Sequence, residues 1–358
     1  MVISGPNGSG KTNLLEAISL LTPGRGLRGA RIADLAHRGA GPWAVAGRFA
    51  TPGGEVDIGT GTSPEGGADR RVFRLDGAAP RSQAEIAARL AAVWLTPQMD
   101  RLFQEGASGR RRFLDRLVYA LEPAHAREVA AFETAMASRN RLLGEGRADA
   151  AWLGGIEDAM ARHAVAVTAA RAGLVARLNA ALADGIAGAF PAARMELVCP
   201  IADRLLAGPA LAAEDWLRAA LASSRSRDAA AGGAQSGAHR ADMGLVDVAS
   251  GLGAGLASTG QQKALLIAVI LGHASLLAVA RGFGPLLLLD EPGVHLDAER
   301  RTALFAALAD LPAQVFLTGT DSATFAPLAG IAEALCTGGD TLLPDPAFPP
   351  PGSGGIPA

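Results

Sequence analysis

The chain has 358 residues, a length typical of about two domains; 49% of the residues are hydrophobic and 19% are charged. Its apolar stretches are shorter than the roughly 18 to 20 residues of a membrane-spanning helix, so the composition predicts a soluble globular protein and excludes the membrane and disordered classes. The net charge of −2 excludes a uniformly basic nucleic-acid-binding protein, so any DNA site must be a local basic patch.

Cysteine and lysine are both scarce. The two cysteines, Cys199 and Cys336, lie far apart and in no metal-ligand spacing, so we interpret them as buried thiols in a reducing cytoplasm. Lysine occurs only at Lys11 and Lys263, and arginine supplies the rest of the 33 basic side chains. A lysine retained in such a chain indicates a position that needs a compact ammonium group on a flexible stem.

The N-terminal segment predicts a strand, a glycine-rich turn and a helix. Residues 2–4 have the character of a buried strand, and apolar spacing predicts a helix over residues 12–21. The turn GPNGSGKT between them matches the phosphate-loop pattern GxxxxGK[ST], whose backbone N–H groups close around phosphate oxygens at a helix N-terminus. Lys11 is predicted to contact the β- and γ-phosphates in catalysis, and Thr12 to ligate Mg²⁺. The residues of this turn predicted to bind ATP are Gly5, Pro6, Asn7, Gly8, Ser9, Gly10, Lys11 and Thr12.

The patterning changes in the middle of the chain. Strand-like runs at residues 43–50, 55–61 and 71–75 predict a small antiparallel sheet. Residues 110–187 have the alanine, leucine and spaced arginine content of long amphipathic helices. An alternation of strands and helices then returns, with a loop predicted at the alanine-, serine- and glycine-rich residues 223–237.

Two adjacent carboxylates follow the most apolar run of the chain. Residues 286–289 are all leucine and predict a fully buried parallel strand. Asp290 and Glu291 come directly after it, at the end of a strand where open α/β sheets bind ligands. Asp290 is predicted to hold Mg²⁺, and Glu291 to act as the general base that polarises the attacking water. The alternative, a strand that ends in a solvated acidic turn, is common for one carboxylate and less so for a pair.

The segment ASTGQQK, residues 257–263, precedes another predicted helix. The simplest interpretation of Ser258 is a helix N-cap. However, the S-x-G-Q order about thirty residues before the Asp-Glu pair resembles the signature motif of ABC-type ATPases, which contacts the γ-phosphate bound by the opposite subunit. The resemblance implies an ATP-dependent homodimer in which catalytic Ser258, with Gly260 and Gln261, completes the partner's ATP site. Asp297 resembles the D-loop of the same family.

Further sequence segments resemble those of one family within this class, the RecF family. These segments span nearly the whole chain: TNLLEAI at residues 12–18, GRGLR at 24–28, GRRRFLD at 109–115, SRNRLL at 138–143 and GAHRADM at 237–243. The resemblance implies a cytoplasmic bacterial ATPase of DNA replication, recombinational repair and the SOS response to DNA damage. Such a protein binds ATP and Mg²⁺, hydrolyses ATP weakly, and works with RecO and RecR to place RecA at single-stranded gaps.

The expected fold class is α/β, a P-loop NTPase of the ABC-ATPase head type with a small antiparallel β-subdomain and an inserted helical lobe. Residues 1–109 and 191–342 are predicted to form the ATPase lobe, with the phosphate loop in the first part and the signature, Asp-Glu pair and D-loop in the second. Residues 110–190 are predicted to form the helical lobe, and the proline- and glycine-rich residues 343–358 a disordered tail.

The chain departs from the family pattern in three places. Family members usually carry a few dozen residues before the phosphate loop, so we expect either a misassigned start codon or a fragment. Some contacts near the adenine ring would then be missing. Gln98, in LTPQMD, resembles the Q-loop and is predicted to contact ATP, Mg²⁺ or its water, although the family more often has a carboxylate after the proline. Thr318 or Thr320 stands near the position of the transporter switch histidine, and a threonine there predicts slow hydrolysis.

DNA binding is predicted at arginines. Arg110, Arg111 and Arg112 form the densest basic cluster, and Arg25 and Arg28 are further candidates. Lys263, early in the signature helix, is predicted to contact DNA or the partner subunit. The DNA is expected to be single-stranded or a gapped duplex.

Two alternative functions remain open at this point. The first is the ATP-binding subunit of a membrane transporter, which normally needs a switch histidine. The second is a DNA-binding scaffold that keeps the nucleotide fold only for dimerisation and does not hydrolyse ATP.

Overall fold

The computed structural model describes residues 1–37, 41–63, 70–146, 149–338, 341–346 and 348. The strands are β1 (Val2–Ser4), β2 (Ala44–Thr51), β3 (Gly54–Thr62), β4 (Arg71–Leu75), β5 (Ala92–Leu95), β6 (Ala193–Val198), β7 (Asp242–Asp247), β8 (Leu286–Asp290), β9 (Gln314–Gly319), β10 (Ala334–Gly338) and β11 (Thr341–Pro344). The helices are α1 (Lys11–Leu20), α2 (Gln83–Ala87), α3 (Ala107–Leu121), α4 (His125–Glu145), α5 (Ala150–Ala183), α6 (Pro200–Ala207), α7 (Ala210–Ser223), α8 (Arg225–Ala230), α9 (Thr259–Arg281) and α10 (Ala298–Asp310).

The chain divides into two compact units. Within the described residues, the first comprises Met1–Asp100, Gly185–Ala192 and Ser258–Ala358, and the second comprises Arg101–Asp184 and Ala193–Ala257. This division differs from the predicted domain bounds chiefly at residues 193–257, which group with the helical unit. The physical reason is the antiparallel pairing of β6 with β7 and the packing of α7 against α5, both inside that unit.

The first unit is built on a six-stranded sheet of order β11-β10-β1-β9-β8-β5. Its neighbours are parallel except β11, which runs antiparallel to β10. The smaller sheet β2-β3-β4 contributes Ile58 and Phe73 to a core shared with Leu15 of α1, Trp94 of β5 and Leu288 of β8. This shared core fixes the small sheet against the parallel sheet and α1, as expected for the predicted α/β class.

Strand register brings the two nucleotide motifs to one edge of the parallel sheet. Ser4, at the end of β1, lies opposite Gly319 of β9, and Asp290, at the end of β8, lies opposite Thr318 of β9. Parallel strands end at the same edge of a sheet, and only β9 lies between β1 and β8. The turn after β1 and the carboxylates at the end of β8 therefore lie close together. The leucines of β8 are fully buried, as the apolar run predicted.

The second unit is mainly helical. Phe132 of α4, Met160 of α5 and Leu217 of α7 are among the residues of its apolar core. The fully buried Arg139 is neutralised by Glu157 and Asp228, at 2.9 and 2.8 Å. Residues 110–187 are thus largely helical, as predicted.

Three expectations need correction. The predicted loop at residues 223–237 contains α8, whose Asp228 is held in the buried ion pair just described. The predicted disordered tail is wrong for residues 343–344, which belong to β11; residues 347 and 349–358 lie outside the described part. Cys199 is buried as predicted, but Cys336 is only partly buried.

Among the described residues two helices, α5 and α9, are long and apolar enough to cross a membrane, contrary to the prediction that the apolar stretches are too short. This test also selects the core helices of soluble proteins. In α9, 78% of the most apolar window is buried inside the protein, as expected of a core helix.

Candidate nucleotide-binding site

The glycine-rich turn after β1 has the conformation of a phosphate-binding loop. Gly10, with φ of 90°, is the N-cap of α1, so the helix begins at Lys11. The Lys11 side chain folds back and donates from Nζ to the carbonyls of Gly5 and Pro6, at 2.7 and 2.9 Å. A Cβ at Gly5 would come within 1.9 Å of Thr337 Oγ1, which explains a glycine there. The loop therefore holds an ammonium group beside backbone N–H groups at a helix N-terminus, a donor set that suits phosphate oxygens.

Thr12 and Asp290 meet at the carboxyl edge of the sheet. The Thr12 hydroxyl donates to the Asp290 carboxylate, with Oγ1 at 2.9 and 3.1 Å from the two oxygens. A hydroxyl and a carboxylate oxygen are hard ligands of the kind that Mg²⁺ prefers. No group of three or more histidine, cysteine or acidic side chains that could hold a metal occurs among the described residues.

Thr318 lies beneath the carboxylate pair. Its buried hydroxyl donates to Asp290 Oδ1 at 2.7 Å and accepts a hydrogen bond from the backbone N–H of Glu291 at 3.2 Å. Thr318 is 0% exposed and its hydroxyl already has two partners, so the structure favours Thr320 over Thr318 for the predicted switch role. Thr320 is exposed and remains the candidate for that role.

Glu291 has an unusual backbone conformation. Its φ of 48° lies in the left-handed region that favours glycine. The backbone is fixed on both sides, because its N–H bonds to Thr318 and its carbonyl accepts from the Val294 N–H at 3.2 Å and from Lys263 Nζ at 3.3 Å. No hydrogen bond to the partly exposed Glu291 carboxylate is found within the described residues. Such a carboxylate is suited to accept a proton from water.

The signature segment lies at the start of α9. Ser258 is its N-cap: Ser258 Oγ accepts from the Gln261 backbone N–H at 3.4 Å, and Gln261 Oε1 accepts from the Ser258 N–H at 2.9 Å. Both residues are exposed. A Cβ at Gly260 would lie 3.0 Å from the carbonyl of His295, so this position favours the smallest residue. The N-cap role is therefore observed, and exposure leaves the segment accessible to a second subunit.

The two remaining predicted ATP contacts are also exposed. Asp297 is the N-cap of α10 and accepts from the Arg300 N–H at 2.8 Å. Gln98 lies in a 3₁₀ turn, Pro97–Arg101, directly after β5. Because β5 is parallel to β8, this turn follows the same edge of the sheet as Asp290, although no bond joins the Gln98 and Asp290 side chains in the described structure.

Most of the arginine run is engaged within the second unit. Arg110 forms a bidentate ion pair with Asp242, at 2.7 and 2.8 Å, and holds the pKa of that carboxyl below its usual value. Arg111 donates to the carbonyl of Ala241 at 2.8 Å. The donors of Arg110 thus have partners inside the fold, which argues against its predicted phosphate contact. Arg111 uses one donor in this way, and its contact with DNA stays a prediction. Arg112 is exposed and has no hydrogen bond or ion pair with any residue that the structure describes.

The prediction that Lys263 contacts DNA or a partner subunit is wrong, because Lys263 is only 1% exposed. Its Nζ lies 3.4 Å from Oδ2 of Asp100, a residue that the sequence analysis did not single out. Two features of the sequence could have indicated this contact. Asp100 lies two residues after Gln98, and the run of apolar residues after Lys263 indicates that the helix is buried.

The chain is similar to known proteins over most of its length. A family model described as the RecF/RecN/SMC N terminal domain matches residues 1–333. The DNA replication and repair protein RecF of Mesorhizobium japonicum is 48% identical over 347 residues, which cover 96% of this chain and 91% of that protein.

Solved structures share the fold. The recombination mediator protein RecF-ATPrS in the RecFOR pathway has a TM-score of 0.82 at 22% identity, covering 95% of this chain and 90% of that chain. The corresponding RecF-ATP structure has a TM-score of 0.79 at 22% identity, covering 96% and 92%. The predicted fold class, an ABC-type ATPase head, is confirmed.

Proposed function

Because the chain belongs to the RecF family of DNA replication and repair proteins, we propose that it is an ATP-dependent DNA-binding protein that dimerises when it binds ATP. In this proposal it acts in recombinational repair in the cytoplasm, helps RecO and RecR to place RecA at single-stranded gaps, and hydrolyses ATP slowly. The structurally similar RecF proteins are described as recombination mediators in the RecFOR pathway, which supports the choice of partners.

The observation that carries the proposal is the contact between Thr12 and Asp290, with the Glu291 carboxylate beside it. The phosphate loop supplies N–H donors, Lys11 supplies positive charge, and Thr12 with Asp290 supplies oxygen ligands for Mg²⁺. When bound, Mg²⁺ adds positive charge beside the phosphates. Residues of this chain therefore fit both ATP and the metal that accompanies it.

Each of these residues has a separate part in hydrolysis. Lys11 exchanges the carbonyls of its own loop for phosphate oxygens, which places a positive charge where negative charge develops. Glu291 takes a proton from the attacking water, and Thr318 keeps Asp290 oriented. Exposed Ser258 and partly exposed Gly260 complete the site of a second subunit, so that ATP joins two heads. Asp297 and Gln98 contribute at the rim of the same site.

Contact with DNA falls to exposed arginines that lack partners in the fold. Arg112 of the second unit and Arg25 of the first meet that condition among the described residues. Arg28 is exposed but donates to Asn13 at 2.8 Å. A few such cations give binding that depends on salt and little on sequence, which suits single-stranded or gapped DNA.

Family membership removes the transporter alternative and leaves the scaffold that does not hydrolyse ATP. If the wild-type protein releases phosphate from ATP and Lys11→Ala does not, the protein hydrolyses ATP and the scaffold alternative is excluded. The composite site is tested by mixing Lys11→Ala with Ser258→Arg. Each variant alone is expected to be inactive, whereas the mixture recovers phosphate release, because a mixed dimer holds one site with both an intact phosphate loop and an intact signature.

Ser223→Arg, at an exposed serine of the second unit, is the control for adding a positive charge. It should leave phosphate release unchanged. The Ser258 variant also loses a helix cap, at a cost of roughly 1 kcal/mol, so thermal unfolding must show that it is folded. A mixture no more active than the separate variants would contradict the composite site.

A further inference from the structure

Lys263 occupies a position where an ammonium group is costly. It lies near the start of α9, and its side chain is 1% exposed. Burial lowers the pKa of Lys263, while Asp100 opposes that shift. Burial likewise raises the pKa of Asp100, which Lys263 opposes. A buried ion pair is weak support for stability, because apolar side chains of similar volume often do as well. Stability alone therefore does not explain a buried lysine at this position.

The Lys263 ammonium touches two other elements of the ATP site. One contact is Asp100 Oδ2, at 3.4 Å, in the turn that carries Gln98. The other is the backbone carbonyl of Glu291, at 3.3 Å. One side chain thus joins the helix of the signature segment, the turn of the candidate Q-loop and the backbone of the proposed general base.

The contact with Glu291 has a geometric consequence. Glu291 has a φ of 48°, a conformation that a residue with a side chain keeps only where its surroundings impose it. The Thr318 hydroxyl accepts from its N–H, and its carbonyl accepts both from Lys263 Nζ and, at 3.2 Å, from the backbone N–H of Val294. Loss of the Lys263 bond leaves the Glu291 carbonyl bonded only within its own turn, so that this turn, and the carboxylate it carries, is no longer tied to α9.

We propose that Lys263 is a positioning residue for hydrolysis, whose ammonium ties the left-handed backbone of Glu291 to α9 and to the turn that carries Gln98. This inference rests on the proposed function, in which Glu291 acts as the base. Lys263 itself touches neither the phosphates nor the attacking water; it acts through Glu291. The carboxylate of Asp100 holds the ammonium in place from the opposite element.

The test separates positioning from charge neutralisation. Lys263→Met keeps the length and the apolar stem but leaves the Asp100 carboxylate buried without its cation. The double variant Asp100→Leu/Lys263→Met removes both charges, so no unpaired charge is left. If Lys263 served only to neutralise Asp100, the double variant would regain both stability and wild-type turnover.

The proposal expects a different result. The double variant should unfold near the wild-type temperature and bind ATP with an unchanged dissociation constant, whereas its kcat should remain about tenfold or more below wild type, in the range found for residues that orient a reactive group. Leu266→Met, a volume-conserving change at a buried position of the same helix, is the matched control and should keep wild-type kcat.

The remaining outcomes are decisive as well. A double variant with wild-type kcat would overturn the proposal. So would a double variant that neither folds nor binds ATP, since the pair would then serve stability. Absence of phosphate release by the wild-type protein, measured in the same assay, would instead overturn the proposed function, and this inference with it.

Discussion

At the scale of single residues, Thr318 shows how little of a site a motif describes. It lies in β9, outside the sequence motifs, and has no charge. Its hydroxyl nevertheless bonds both to the Asp290 carboxylate and to the Glu291 backbone. Substitution of a residue that orients a metal ligand commonly lowers metal affinity by about 10- to 100-fold. Thr318 is therefore expected to matter more for Mg²⁺ than for ATP itself.

Thr318→Val, which keeps the shape and removes the hydroxyl, should raise the Mg²⁺ concentration needed for half-maximal ATP turnover by about tenfold. It leaves two buried groups with fewer partners, so the free energy of unfolding should fall by about 1 to 2 kcal/mol. Thr318→Ser retains the hydroxyl and should behave like wild type. Titration of phosphate release with Mg²⁺ measures the effect; an unchanged requirement in Thr318→Val would exclude the orienting role.

The residues that the sequence predicted correctly and those it did not differ in the range of their contacts. The phosphate loop is local, so GPNGSGKT predicts its own geometry. Lys263 and Asp100 are 163 residues apart in the sequence, and Arg110 and Asp242 are 132 apart. A single sequence shows a cation in each case but not the distant carboxylate that engages it, and both cations were therefore assigned to DNA.

At the scale of secondary structure, periodic segments were predicted well and short amphipathic ones were not. The buried strand β8 follows the predicted bounds within one residue, because it has a strong apolar pattern. Helix α8 was predicted as loop because alanine, serine and glycine dominate its surroundings. Its place is set by Asp228, which accepts from Arg139 of α4, a contact invisible in the local sequence.

The partly buried carboxylate of Asp115 also joins helices of the second unit. Asp115 of α3 accepts from Arg171 of α5 at 2.7 and 2.8 Å and lies 2.8 Å from Nε2 of His125 of α4. Burial alone would raise the pKa of Asp115, but the hydrogen bonds and charges of its two partners outweigh it and lower the pKa below the usual 3.8.

A lowered pKa fixes the sign of the pH dependence. The Asp115 carboxylate contributes stability above its unfolded pKa of 3.8, and that contribution is lost as the pH falls through the lower folded value. Asp115→Asn should therefore unfold more easily at pH 7, by roughly 2 to 3 kcal/mol, and should lose less stability than wild type when the pH falls below about 4.

Urea unfolding at pH 7 and at lower pH, followed by circular dichroism, measures this difference. Asp158→Asn removes a partner of the exposed Arg162 and Arg218 and is the control, expected to cost less than about 1 kcal/mol. Equal stability of Asp115→Asn and wild type at pH 7 would contradict a stabilising role for the carboxylate.

At the scale of the whole molecule, the net charge of −2 agrees with a DNA site made of a few exposed arginines. The sequence predicted the fold class, the family and the order of motifs, because these rest on segments spread over nearly the whole chain. It did not predict that residues 193–257 would group with the helical unit, since that depends on strand pairing between distant segments.

The central claim is that bound ATP turns this protein into a DNA-binding dimer. Glu291→Gln removes the proposed base and keeps the shape, so it should hold ATP without hydrolysing it. Its retention of gapped DNA, measured with and without ATP at about 50 and 200 mM salt, tests the claim most directly. We expect retention only with ATP, weaker at the higher salt, and absent when Lys11→Ala is added. Retention that is equal without ATP, or absent under every condition, would contradict the account.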